Sequence, residues 1–156
     1  MKPVLQALLV ADHVYIDSTT DKKIVAGIFH HIWFKRQVSK QAPSESPGEH
    51  LVLQIGPGGF QAGSPFCYVS LTDVHGQQEF ELRYVDLAND EPIFGARFSV
   101  DGEDPLKTKE IVLALPRLPV HKAGNFALEL LWNNEPLGAH RINVDEMPDE
   151  DNKDSK

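Results

Sequence analysis

The strongest constraint on the fold of this chain is the alternation of apolar and polar residues in short runs. Phe80, Leu82 and Tyr84 alternate with charged residues. A period of two residues is the period of a β-strand, so one face of such a run meets a core and the other meets water. No amphipathic helix of ordinary length competes with this pattern, which recurs in Cys67 to Leu71, Phe94 to Val100, Ile111 to Leu115 and Phe126 to Trp132.

Turn-forming residues separate these runs at short intervals. Val74 to Gln77 and Asp101 to Pro105 each stand between two runs, and Pro116 follows another. Glycine, proline and aspartate at such positions favour turns because of their backbone preferences. We therefore predict an all-β fold, an antiparallel two-sheet β-sandwich of immunoglobulin-like or C2-like type, with a closed β-barrel as the alternative.

The N-terminal part of the chain predicts a hairpin. Val4 to Ile16 and Ile24 to Phe34 flank the polar segment Asp17 to Lys22. Both strands are apolar on both faces, which favours central strands or strands that cross from one sheet to the other. Asp12 and His13 interrupt the apolar start of the chain, so a strand is favoured over a secretion signal.

The C-terminal hairpin allows a prediction of register. Asn133 and Asn134 form a natural turn after the strand that ends at Trp132. A strict two-residue loop would place Arg141 opposite Phe126, which would turn the apolar residues of the second strand away from the core. We therefore expect a three-residue loop, or a bulge near Gly138, that places Ile142 opposite Phe126.

Length and charge limit the domain organisation and the partners. The chain has 156 residues, a net charge of −8 and one cysteine. We predict one domain over residues 1–144 and a disordered acidic tail over residues 145–156.

The acidic balance and the absence of a basic stripe argue against nucleic-acid binding. No apolar stretch is long enough to span a membrane, and one cysteine cannot form an internal disulfide, so a cytoplasmic protein is expected.

Two segments resemble a bacterial family of small β-sandwich domains of unknown function. The first is Ala7 to Asp12 with the strand Lys22 to Phe29, and the second is Val120 to Leu130 with the turn Asn133 to Gly138. The resemblance rests on core alternation and turns. It implies a β-sandwich fold and supplies no catalytic residues.

The residues with reactive side chains do not form a catalytic motif. His30 and His31 are adjacent, so on a strand they point to opposite faces and do not chelate one ion. Cys67 alternates with apolar residues, which favours a buried and inert thiol. We expect no cofactor, no metal and no enzymatic activity. Five aspartates lie at predicted strand ends, and we expect them to stabilise turns rather than to bind calcium: Asp73, Asp86, Asp90, Asp101 and Asp104.

The candidate binding residues are Trp33, Phe34, Lys35 and Arg36, where two aromatic residues stand beside two cations at the end of a strand. Such a combination can anchor a partner, although either aromatic residue can also close the core. We predict a noncatalytic interaction module that binds a protein partner or a second copy of the chain. The alternative is a small-ligand or carbohydrate binder that uses Trp33, Phe34 and the loop from Gly56 to Pro65.

Overall fold

The computed structural model of the protein describes residues 1–37, 51–55, 64–120 and 122–148, and it describes only the backbone of residues 36, 37 and 51–55. The described residues form strands and no helix, so none of them belongs to a helix long and apolar enough to cross a bilayer. The strands are β1 Val4–Ile16, β2 Lys23–Ile28, β3 His31–Gln37, β4 Leu51–Ile55, β5 Phe66–Thr72, β6 Gly76–Asp86, β7 Glu91–Gly102, β8 Lys109–Ala114, β9 Gly124–Trp132 and β10 Glu135–Glu146.

The strands form two sheets. The first sheet has the order β2-β1-β5-β8, and the second has the order β4-β3-β10-β9-β6-β7. The predicted all-β, two-sheet fold is confirmed. The prediction of a purely antiparallel fold is wrong for one pair, because β3 runs parallel to β10, with Ile32 opposite Val144. No short hairpin joins these two strands, so their relative direction depends on how the chain crosses between the sheets.

Both sheets contribute to one core. Val10 and Val69 of the first sheet and Phe80, Leu128 and Ile142 of the second are almost fully buried and belong to one hydrophobic cluster. Each of these residues alternates along its strand with residues of the opposite face. The period of two in the sequence therefore follows directly from packing two sheets on a shared apolar layer.

The prediction that the segment from Ile24 to Phe34 crosses from one sheet to the other is confirmed, although the structure divides it into β2 and β3. The alternative of a central position is wrong for β2, which lies at the edge of the first sheet. Gly27 has a φ of +75°, in the left-handed region, and a Cβ at this position would lie 2.5 Å from Oδ2 of Asp12. The amide of Phe29 still donates to the carbonyl oxygen of Val10 in the first sheet. The carbonyl oxygen of His30 already accepts from Asn143 in the second sheet.

The predicted register of the C-terminal hairpin is confirmed. Ile142 lies opposite Phe126, and a register shift between Pro136 and Gly138 leaves Leu137 as the extra residue. Asn133 and Asn134 have φ values of 49° and 63°, as a two-residue turn with left-handed residues requires. The bulge, rather than a longer loop, therefore keeps the apolar residues of β10 on the core face.

Strand β10 continues beyond the predicted start of the acidic tail. Asp145 and Glu146 lie opposite Trp33 and Phe34 of β3, and the amide of Met147 donates to the carbonyl oxygen of Phe34. Residues 149–156 of the predicted tail lie outside the described residues.

Substitution of Gly102 by alanine tests how tightly the end of β7 packs. Gly102 is buried, and a Cβ at this position would overlap the carbonyl carbon and oxygen of Val74. We expect Gly102→Ala to lower the free energy of unfolding by about 1–3 kcal/mol, because the backbone atoms of Val74 cannot yield unless the connection between β5 and β6, or the end of β7, moves. Urea denaturation measures the change.

Gly124→Ala is the matched control, because the nearest atom to its added Cβ lies at 3.5 Å, an ordinary contact distance. We expect a change within about 1 kcal/mol for this variant. Equal losses for the two variants would contradict the packing at Gly102.

Candidate functional site

Strand β3 separates the two aromatic residues of the predicted binding motif. Phe34 is fully buried in the core, whereas Trp33 and Lys35 are half-buried on the opposite face. Phe34 therefore takes the core role that the sequence left as the alternative, and the predicted surface keeps Trp33 and Lys35. The side chain of Arg36 and residues 56–63 of the predicted ligand-binding loop lie outside the described residues.

Trp33 is already in contact with a neighbouring ring. The imidazole of His31 stacks on the indole with ring centroids 3.8 Å apart. Nε2 of His31 lies 2.6 Å from Oδ2 of Asp145, which stands opposite Trp33 on the parallel strand. One face of Trp33 is thus covered by His31, which leaves less of the ring for stacking on a sugar or a base. The sequence did not reveal Asp145 because parallel pairing has no local signature.

The adjacent histidines have different neighbours. His30 stacks on His140 at 4.3 Å, whereas His31 contacts Trp33. His140 is buried, and its Nε2 donates to the carbonyl oxygen of Phe29 at 2.8 Å. Burial lowers the pKa of His140 and outweighs the opposite effect of this hydrogen bond. Within the described ranges, no three His, Cys, Asp or Glu side chains come together as metal ligands.

Burial and hydrogen bonding bear on two further sequence interpretations. The predicted burial of Cys67 is confirmed, and desolvation raises the pKa of its thiol to about 12. A thiol in this state remains protonated near neutral pH and is a poor nucleophile. Among the strand-end aspartates, Asp86 and Asp104 accept hydrogen bonds from the amides of Ala88 and Leu106, as turn residues do.

The distal part of the β1–β2 hairpin exposes large apolar side chains. Strand β1 pairs with β5 only as far as Ala11, and from there to Ile16 it pairs with β2 alone. We call the exposed apolar residues of this two-stranded extension the hairpin surface. Their exposed fractions are 53% for Tyr15, 57% for Ile16, 51% for Ile24 and 46% for Ile28.

The turn end of the hairpin, where Lys23 lies opposite Ile16, is held by an ion pair. Nζ of Lys23 lies 3.3 Å from a carboxylate oxygen of Glu110 on β8, and the hydroxyl of Tyr68 donates to the other oxygen. The hydrogen bond from Tyr68, followed by that from Lys23, lowers the pKa of Glu110. Strands β1 and β5 lie between β2 and β8, so this contact requires the hairpin to bend towards the outer face of the sheet.

Strand β2 is the least protected sheet edge whose side chains are described. Its one charged residue is Lys23, at its first position. The edge strand β7 carries Glu91, Pro92, Arg97 and Asp101, and the edge strand β8 begins with a lysine and a glutamate. Charges and proline are the usual means by which an edge strand is kept from pairing with another chain. The edge of β2 lacks this protection.

A comparison with known proteins gives one family. A family model described as a family of unknown function (DUF6941) matches residues 6–145, which is most of the chain. The match begins in β1 and ends in β10, so it includes both sheets and the hairpin surface. It confirms the resemblance to a family of unknown function. No curated protein matches the chain.

Substitution of His140 by glutamine tests the environment of this histidine. Because burial lowers its pKa below the ordinary value of 6.5, the unfolded chain binds a proton more readily than the folded protein does. The stability contributed by neutral His140 is therefore complete above about pH 6.5 and is lost as the pH falls towards the folded pKa. We expect stability to fall less steeply over this range in His140→Gln than in the wild-type protein, as urea denaturation at several pH values would show.

His13→Gln is the control, because His13 is exposed on the hairpin. Its pH dependence is expected to follow that of the wild-type protein. An unchanged slope in His140→Gln would contradict the assigned role of burial at His140.

Proposed function

We propose a protein-binding function for this chain, which belongs to the DUF6941 family of unknown function. In this proposal it is a noncatalytic module that takes up an extended segment of a partner protein along the free edge of β2. The observation that carries the proposal is the exposure of apolar side chains on an edge strand that lacks charges along most of its length.

Strand addition supplies both affinity and selectivity at such an edge. Among the described residues, no strand pairs with the backbone N–H and C=O groups on the outer side of β2, since β1 lies on its other side. An added strand satisfies these groups, and its side chains alternate between the two faces of the hairpin. Ile24 and Ile28 on one face and Val25 on the other then gain apolar contacts.

The proposed partner segment is extended and apolar at alternate positions. Exposed Ile24 lies opposite Tyr15, so the face on which it lies offers two large apolar side chains side by side. Apolar residues of a bound strand would cover these two side chains and remove them from water. A second copy of this chain is the competing occupant, because β2 itself has this pattern.

The proposal also includes a cytoplasmic location and a sandwich of immunoglobulin-like or C2-like type. The sandwich is supported by the two sheets that share one hydrophobic cluster. The location is supported by the single cysteine, whose buried thiol takes no part in a disulfide.

Substitution of Ile24 by lysine tests the proposed binding edge. Peptides selected from a random displayed library on the immobilised full-length protein supply the probe, and fluorescence anisotropy supplies the dissociation constant. We expect the selected peptides to alternate apolar residues, and Ile24→Lys to weaken their binding at least about tenfold, because a buried charge would oppose the apolar contact. Hydrogen exchange of the complex should show new protection of β2 amides.

Ser99→Lys on the edge strand β7 is the matched control, since Ser99 is exposed and the change in charge is the same. Trp33→Ala tests whether the peptides bind at Trp33 on β3 instead of at the hairpin surface. Peptides that bind Ile24→Lys as well as the wild-type protein, or that lose binding in Trp33→Ala instead, would contradict the proposal. So would a dimer in light scattering that Ile24→Lys converts to a monomer, because the edge would then serve self-association.

A further inference from the structure

A cavity of about 300 Å³ opens at one end of the second sheet. It lies where β6 ends and β7 begins, beside the connection from β8 to β9. Its walls combine apolar side chains with two carboxylates and one ammonium group. They are formed by Asp86, Glu91, Pro92, Ile93, Pro119, Lys122 and Phe126.

Asp86 places a rigid carboxylate in the cavity wall. Its side chain is only 8% exposed, and one oxygen accepts a hydrogen bond from the amide of Ala88 at 3.0 Å. The other oxygen lies 2.9 Å from Nζ of Lys122. The hydrogen bonds from Lys122 and from Ala88 lower the pKa of Asp86, so the carboxylate remains ionised at neutral pH. A buried, ionised carboxylate requires a cation nearby.

Lys122 supplies that cation from an exposed position. Its side chain is 58% exposed, in contrast to the carboxylate that it contacts. The preceding connection is anchored by Leu118 and Val120, which are buried in the core. Because Lys122 is exposed, rotation of its own side chain can bring the ammonium group into solvent.

Glu91 makes the cavity wall negative overall. It lies opposite Asp86 across the β6–β7 pair, and its charge contributes to the raised pKa of Lys122 after the larger effects of Asp86. With one ammonium group and two carboxylates the wall carries a charge of −1. Displacement of Lys122 into solvent would leave two carboxylates facing the cavity.

The rest of the wall suits an apolar body. Ile93, Pro92 and Pro119 line it together with Phe126, whose ring stacks on Tyr84 at 5.6 Å. The hydroxyl of Tyr84 is buried without a hydrogen-bond partner among the described residues. Burial raises the pKa of this hydroxyl, and the charge of Asp86, two residues further along β6, contributes to the same shift.

We infer that this cavity binds a small primary amine with an apolar body, whose ammonium group takes the place of Lys122 beside Asp86 and Glu91. Its volume is at the lower end of the range of small-molecule sites, which fits a compact ligand such as a single ring with a short side chain. The buried carboxylate of Asp86 and the exposed carboxylate of Glu91 select the cation, and the apolar wall contributes to affinity by excluding water.

Titration of the full-length protein with benzylamine tests this inference by NMR. Benzyl alcohol and benzoate serve as neutral and anionic probes of nearly the same shape. We expect saturable shifts of the Ile93 methyl and Ala88 amide signals with benzylamine, and binding of benzoate at least about tenfold weaker. Equal shifts with the three probes, or no saturation up to about 10 mM benzylamine, would overturn the inference.

Substitutions in the cavity wall are expected to change the affinity for benzylamine in opposite directions. Lys122→Gln removes the competing cation, so we expect benzylamine to bind roughly two- to fivefold more tightly. Glu91→Gln removes an exposed carboxylate, so we expect binding weaker by a similar factor. Glu103→Gln makes the same charge change on an exposed residue outside the cavity wall and should leave binding unchanged.

Glu91→Gln and its control Glu103→Gln keep the test independent of the contribution of the Asp86–Lys122 ion pair to folding. Glu91 is exposed and is hydrogen-bonded to the neighbouring Asn89, so Glu91→Gln leaves the pair of Asp86 and Lys122 in place. Equal effects of Glu91→Gln and Glu103→Gln would show only a general response to charge and would overturn the inference. Weaker binding in Lys122→Gln would contradict the exchange of cations.

Discussion

The backbone passes from the first sheet to the second within two residues, Phe29 and His30. The amide of Phe29 still pairs with Val10, whereas the carbonyl oxygen of His30 pairs with Asn143. The carbonyl oxygen of Phe29 accepts from buried His140, and the Phe29 side chain lies in the core. This crossing satisfies the backbone amide and carbonyl of buried Phe29, which would be costly to leave unpaired, and it fixes the direction in which β3 enters the second sheet.

The surfaces of the protein follow from that crossing. Since β2 ends at the crossing, it remains the edge of the first sheet, and no strand of the described residues neighbours the hairpin surface beyond it. Since β3 enters parallel to β10, it brings Trp33 opposite Asp145 and turns Phe34 into the core. The proposed protein-binding edge and the surface around Trp33 therefore face different surroundings, although few residues separate them in the chain.

Local signals predicted the fold better than they predicted the candidate sites. The alternation around Phe80, the turn at Asn133 and the bulge beside Gly138 are encoded by nearby residues, and the structure confirms them. The unprotected edge of β2 and the parallel neighbour of Trp33 depend on strand order, which has no local signature. The cavity beside Asp86 was missed for the same reason, because the sequence showed Asp86 only as a turn residue.

The sequence by itself determined an all-β chain with a shared apolar layer, because a period of two in the side chains is sufficient to define strands with a buried face. It also determined the register of the C-terminal hairpin, because one step of register would turn every apolar residue of β10 towards water. Only the tertiary structure decided which strands lie at edges and that Asp86 meets Lys122. These features depend on contacts between segments distant in the chain, and many strand orders are compatible with one alternating pattern.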